Sequence, residues 1–156
     1  MWIMLYTYVM NDFLRPANLE RWSFFWSEAR LVIAAVALFI GGVPPLLLLA
    51  NSSSFSLILL VLQICWIISG LASGYMLYRW MKRKTLFGRK NTLDTAMFAV
   101  SVISGLNLGI TGVLGRNIGM SIFGSNLVFI LTGLVYLAAA IYLYRRWKEY
   151  GEKIFS

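Results

Sequence analysis

The side chains best able to do chemistry in this chain of 156 residues stand within long apolar stretches. Ser104, Asn107 and Thr111 recur at intervals of three and four residues, and Gln63 lies in a separate apolar stretch. An uncharged polar group in hydrocarbon must find a hydrogen-bond partner, so we first expect these four residues to form interhelical hydrogen bonds. The alternative expectation is that all four line a polar pathway through the protein.

Catalytic and metal-binding chemistry is largely excluded by counting. The chain has no His, a single Cys65 and six acidic residues, so the usual protein ligands for zinc, copper, haem and non-haem iron are missing. A Ser-His-Asp or Cys-His device cannot be assembled, and neither phosphate-binding glycine motif occurs. We therefore predict no enzyme activity, no catalytic residue, no cofactor and no metal site.

The elements that must position these side chains follow from the composition. Apolar residues make up 60% of the chain and charged residues 13%, against about 45–50% and 25% in a soluble domain. The apolar residues form long uncharged blocks, which are divided into lengths near the roughly 20 residues that cross a bilayer. We predict an all-α integral membrane protein, a bundle of four transmembrane helices in two hairpins, with spans at about 31–50, 55–78, 95–115 and 122–144.

The N-terminal residues 1–30 are predicted to differ from the four-span membrane domain, residues 31–156. Residues 1–10 are apolar but too few to cross a bilayer, and they could pack against a partner protein. Residues 18–30 follow Pro16 and mix aromatic side chains with balanced charges, a pattern typical of an amphipathic helix that lies in the membrane interface. We expect this helix on the cytoplasmic side, leading into the first span.

The net charge of +8 is explained by orientation. Of the fourteen Lys and Arg residues, three lie in residues 1–30, six in the loop 79–94 and four in the tail 145–156, while Arg116 stands apart. Basic residues are retained on the cytoplasmic side, so we predict a multi-pass membrane protein with both termini cytoplasmic and no nucleic-acid partner. The loop could also contact anionic lipid headgroups or an acidic partner through its clustered basic residues, Lys82, Arg83, Lys84, Arg89 and Lys90.

Small residues and prolines mark positions where helices approach or bend. Pro44 and Pro45 predict a kink in the first span, or alternatively a broken helix whose backbone could coordinate an ion. The motif Leu-Tyr-Arg closes the second and fourth spans 66 residues apart, which has two interpretations: a parallel duplication of the hairpins, or independent use of the same interfacial anchor. Close helix packing is predicted at the glycines of the second and third spans, Gly70, Gly74, Gly105, Gly109 and Gly112.

The predicted spans contain no charged residue, whereas proton-coupled pumps usually hold one at membrane depth. The leading functional prediction is therefore a non-catalytic accessory or assembly subunit that packs into a larger membrane complex. The alternative is a small oligomeric channel or facilitator for an uncharged or weakly polar solute. Membrane lipids, other membrane subunits or further copies of the chain are the expected partners, and a receptor or sensor core is disfavoured because both tails are short.

Overall fold

A computed structural model describes residues 15–122 and 124–155 as a helical bundle. Four helices in these ranges are long and apolar enough to cross a membrane, which confirms the predicted all-α four-helix architecture of a polytopic membrane protein. Two short helices lie in the connections at one end of the bundle. A 3-10 helix, Pro45–Leu49, lies between the first and second long helices, and α4, Ile118–Ile122, lies between the third and fourth. The long helices are α1 (Pro16–Phe39), α2 (Phe55–Arg83), α3 (Thr92–Leu114) and α5 (Asn126–Glu149).

The first long helix corrects the predicted boundaries of the first span. Residues 18–30 do not form a separate interfacial helix, because they continue without a break into residues 31–39 as α1. The helix ends at Phe39 since Gly41 and Gly42 both have positive φ, 84° and 83°, and the Gly42 N–H closes the end on the carbonyl of Ala37 at 2.8 Å. The predicted span 31–50 is therefore wrong in position. Its prolines lie beyond the helix, and residues 1–14 lie outside the described part.

The first half of α1 carries charged side chains that form ion pairs with residues of other elements. Glu20 forms an ion pair with Arg79 of α2, and Arg21 pairs with Glu152 beyond α5 at 3.2 Å. These contacts place the start of α1, the end of α2 and the end of α5 together. We call this the basic end of the bundle, because the Lys and Arg residues of the loop 84–91 and the tail 150–155 also lie there.

The helices pack in a ring in which α2 and α3 form the most extensive contact and α1 packs on the other three, while α2 and α5 lie diagonally opposite each other. Gly70 and Gly109 allow the close approach of α2 and α3, since a Cβ added to Gly70 would lie 2.6 Å from the Cα of Gly109. A Cβ on Gly112 would lie 2.8 Å from the side chain of Ile67. By contrast, a Cβ on Gly74 would meet nothing within 4 Å.

The basic end is closed by an apolar plug that only the folded chain assembles. Phe87 is buried in the loop after α2, and its N–H donates to the carbonyl of Ile154 in the tail at 2.8 Å. Trp147 is also buried there and stacks on Phe24 with ring centroids 5.5 Å apart. The loop and tail therefore form part of the protein core.

The proposed duplication receives unequal support from the helix ends. Helix α2 ends at Arg83 and α5 at Glu149, which keeps the 66-residue offset of the repeated motif. Helices α1 and α3 end at Phe39 and Leu114, 75 residues apart. The duplication stays a prediction.

Candidate intramembrane binding site

A buried arginine lies at the centre of the bundle. Arg30 of α1 is 6% exposed, and its Nη1 donates to the Ser104 hydroxyl of α3 at 2.9 Å. Its Nη2 donates to the Ser101 carbonyl at 2.7 Å. At the helical rise of 1.5 Å per residue, Ser104 lies about 18 Å from the first residue of α3 and about 15 Å from the last, so the guanidinium is held near the middle of α3 along its length.

Space for this guanidinium depends on Gly105. A Cβ added to Gly105 would lie 3.0 Å from the Arg30 guanidinium carbon and would overlap the hydroxyl of Ser73 on α2. The small residues of α2 and α3 therefore make room for a charged group as well as for helix packing. The Nε of Arg30 has no hydrogen-bond partner among the described residues, so one donor remains available.

Arg30 lies at the floor of a large cavity, which occupies the half of the bundle remote from the basic end. The cavity has a volume of about 1120 Å³, and all four long helices, the 3-10 helix and α4 contribute to its wall. Its lining is mostly aliphatic and aromatic, with polar side chains at the floor from Ser69, Ser104 and Tyr136. A ligand pocket of about 300–1,000 Å³ accommodates a drug-sized molecule, so this cavity, which is partly open to the outside of the bundle, has room for a large apolar body.

The polar residues singled out from the sequence divide into two groups. Ser104, Asn107 and Thr111 line the large cavity, whereas Gln63 is not among its lining residues and donates to the Gly112 carbonyl of α3 at 2.9 Å. Asn107 also has a structural contact, because its Nδ2 donates to Asn117 Oδ1 at 2.9 Å. Asn107 therefore both lines the large cavity and forms a structural hydrogen bond.

Of the other residues singled out from the sequence, only Gly105 lies at the cavity floor. Pro44 and Pro45 line the cavity at the end of the bundle opposite the basic end. Gly105 touches the Arg30 site, while Gly70, Gly109 and Gly112 lie in the contact of α2 with α3. The clustered basic residues are all exposed at the basic end: Lys82, Arg83, Lys84, Arg89 and Lys90.

A second, much smaller cavity lies between the floor and the basic end. Glu28 borders it and is 8% exposed, and neither of its carboxyl oxygens has a hydrogen-bond partner in the described ranges. The cavity has a volume of about 10 Å³, which is about the room of one water molecule. Phe87 and Ile154 of the apolar plug form part of its wall, so the cavity borders the basic end.

The expectation that no charged residue lies within a span is therefore wrong. Glu28 and Arg30 lie in α1, and hydropathy alone misplaced them because their charges lower the apolar score of the segment that contains them. One sequence signal could have found them. Gly41, Gly42 and Pro44 stop a helix, so about 20 spanning residues must begin well before position 31.

A third buried charged residue, also missed, stabilises the basic end. Asp94 of α3 is fully buried, and Arg146 of α5 donates to its two carboxylate oxygens at 2.9 and 3.1 Å. The Tyr142 hydroxyl donates to Asp94 Oδ1 at 2.7 Å. The carboxylate of Asp94 therefore has a charged partner and several hydrogen bonds, whereas the carboxyl group of Glu28 has no hydrogen-bond partner in the described ranges.

The binding geometry therefore consists of a large apolar cavity with a cationic floor, and a carboxyl group directly beneath it. No group of three or more metal-ligating side chains occurs among the described residues. Comparison with protein-family models, curated proteins and solved structures finds no match to this chain.

Proposed function

We propose that the protein is a small membrane carrier that binds an amphiphile with an apolar body and an anionic head group in the large cavity. The observation that carries this proposal is the position of Arg30, a buried guanidinium at the floor of an apolar cavity of about 1120 Å³. This proposal departs from the predicted oligomeric channel or facilitator for an uncharged or weakly polar solute, because its ligand is an anionic amphiphile.

The charge of Arg30 supports an anionic head group. Its hydrogen bonds in the described part of the chain go to neutral oxygen atoms of Ser101 and Ser104. A buried charge costs several kcal/mol unless it is paired with an opposite charge. An anion at the cavity floor supplies that pairing and accepts a hydrogen bond from the free Nε, while the walls cover the apolar body.

The predicted accessory role has no comparable observation in its favour. Exposed apolar side chains such as Leu71 and Val113 cover the outside of the bundle, but lipid acyl chains cover such surfaces as well as a protein partner does. Membership of a larger complex and self-association stay predictions.

We propose further that the basic end faces the cytoplasm. Twelve of the fourteen Lys and Arg residues lie there, with Arg30 buried and Arg116 at the opposite end. This asymmetry follows the positive-inside rule, and the exposed residues Lys82 and Lys84 at the end of α2 are then placed to contact anionic headgroups. A membrane-impermeant thiol reagent applied to intact cells should label Ser53→Cys and spare Lys153→Cys in a Cys65→Ser background.

The native Cys65 provides a probe of the cavity, because it is the only cysteine in the chain and lies in the cavity wall. Purified protein in nanodiscs is treated with an apolar maleimide in the presence of hexadecyl sulfonate, hexadecanol or hexadecyltrimethylammonium. These ligands share one tail and differ in head-group charge. We expect the sulfonate to protect Cys65 most strongly.

The matched variants are Arg30→Gln and Arg116→Gln, since Arg116 is exposed at the opposite end. Hydrogen bonds to charged groups contribute about 1.5–3 kcal/mol, so Arg30→Gln should weaken sulfonate protection by roughly 10- to 100-fold, while Arg116→Gln leaves it unchanged. Arg30→Lys retains the positive charge, so its affinity for the sulfonate should lie between those of wild type and Arg30→Gln. This variant also serves as the test if Arg30→Gln does not fold. Equal protection by the three ligands, or no protection, would overturn the proposal.

A further inference from the structure

Glu28 and Arg30 occupy opposite sides of α1. They are two residues apart, which is about 200° around a helix of 3.6 residues per turn. Arg30 accordingly borders the large cavity and Glu28 the small one. Ser101 joins the two sites, because its backbone carbonyl accepts from Arg30 Nη2 and the residue also lines the small cavity.

The surroundings of Glu28 favour a neutral carboxyl group. The other residues that line its cavity carry no ionisable side chain, from any of the packed elements: Phe24 and Ser27 on α1, Met76 on α2, Phe98, Ser101 and Val102 on α3, Leu143 on α5, and Phe87 and Ile154 at the basic end. An ionised carboxylate in such a site lacks both solvation and hydrogen bonds, which costs several kcal/mol. Arg30, on the same helix, is the charge that interacts with it.

From this arrangement we propose that Glu28 is a proton-binding residue whose protonation is coupled to anion binding at Arg30. The inference rests on the proposed function and names its regulation. With Glu28 protonated, the positive charge of Arg30 is uncompensated and attracts an anionic head group. When Glu28 releases its proton to water, the resulting carboxylate offsets that charge and repels the anion. Where Glu28 is ionised in the empty protein, anion binding takes up one proton from solvent, and no other bond is made or broken; where Glu28 is already protonated, binding takes up none.

The two cavities give this coupling a direction along the bundle. The order along the helices begins with the large cavity and its floor, which Arg30 forms with Ser101 and Ser104. The Glu28 cavity comes next, and the plug at Phe87 is last. A proton that reaches Glu28 from the basic end must pass the plug, whereas the amphiphile occupies the opposite half. Proton and anion therefore bind on the two sides of a single floor.

The first test measures Glu28 protonation without any ligand. Infrared difference spectra between wild type and Glu28→Gln should show the carbonyl stretch of a protonated carboxylic acid at neutral pH, and this band should disappear at high pH. Addition of hexadecyl sulfonate, whose head group stays ionised throughout, should keep the band to higher pH, because coupling is reciprocal. A wild-type protein without the band at any pH down to mild acid would overturn the inference.

The second test measures sulfonate protection of Cys65 as a function of pH. Wild-type affinity should fall by about tenfold as Glu28 ionises, a typical size for coupling between two sites. Glu28→Gln mimics the protonated form and should keep the high affinity at every pH, whereas Glu28→Asp should keep a pH dependence. The control is Glu149→Gln, an exposed carboxylate at the basic end, which should behave as wild type.

The outcomes separate the two proposals. If sulfonate binds and depends on Arg30, but Glu28→Gln shows the wild-type pH dependence, the coupling is wrong and the proposed function stands. If sulfonate does not bind wild-type protein at any pH, both are wrong.

Discussion

Replacement of Gly70 by alanine tests whether α2 and α3 pack as closely as the structure shows. The new Cβ would lie 2.6 Å from the Cα of Gly109, whereas carbon atoms in good contact are about 3.5–4.0 Å apart. The clash is with backbone, so no side-chain rotation relieves it, and the two helices must separate by about 1 Å. A gap of that size forfeits about a quarter to a half of the dispersion energy of each affected contact.

The expected cost follows from the size of this interface. Helices α2 and α3 form the most extensive contact in the bundle, and overpacking a close contact typically costs about 1–3 kcal/mol. Gly74→Ala is the matched control, since it lies on the same helix and its Cβ would meet nothing within 4 Å. The control should be neutral or stabilising, because alanine is favoured over glycine in a helix by about 0.5–1 kcal/mol.

The assay is unfolding of both variants and wild type in mixed micelles with increasing denaturing detergent, followed by far-ultraviolet circular dichroism. We expect Gly70→Ala to unfold at a lower detergent fraction than wild type, and Gly74→Ala at the same or a higher fraction. Equal stability of the two alanine variants would refute the close approach of α2 and α3.

Two further predictions concern the basic end. Asp94→Asn leaves Arg146 without its buried partner and should destabilise the protein by about 3 kcal/mol, against less than about 1 kcal/mol for the exposed partner variant Glu149→Gln, as measured by the same unfolding assay. Equal effects of these two variants would contradict the assigned burial of Asp94. Lys148 donates to the carboxylate of Glu152 and thereby holds the pKa of Glu152 below its usual range. The stabilisation from this pair is therefore present at pH values above the ordinary glutamate pKa, and it is lost as the pH falls through the lowered pKa. Glu152→Gln should remove that part of the acid sensitivity in a thermal scan, and an unchanged pH profile would argue against it.

Three of the four long helices were predicted within a few residues from the lengths of the uncharged blocks. The spans 55–78, 95–115 and 122–144 correspond to Phe55–Arg83, Thr92–Leu114 and Asn126–Glu149. They were predictable because a bilayer demands about 20 apolar residues in one run. The first helix was misplaced, since Glu20, Arg21 and Arg30 are stabilised by partners more than 50 positions away in the sequence.

The candidate site was predicted only in part for the same reason. Ser104, Asn107 and Thr111 could be selected as lining residues because hydroxyl and amide groups stand out in an apolar block. Glu28 and Arg30 could not, because a charge next to an apolar block is more simply read as interfacial. Their depth depends on where α1 ends, and their surroundings depend on residues from α2, α3, α5 and the tail.

The sequence by itself therefore determined the membrane class, the number of spans and the asymmetry of the basic residues. Each of these follows from composition and from the length of uncharged runs, which are local properties of the chain. Only the tertiary structure decided that α1 carries a carboxyl group and a guanidinium into the bundle. Burial of a charge depends on the space and hydrogen-bond acceptors that other helices provide, here Gly105, Ser101 and Ser104, and no local pattern in α1 contains that information.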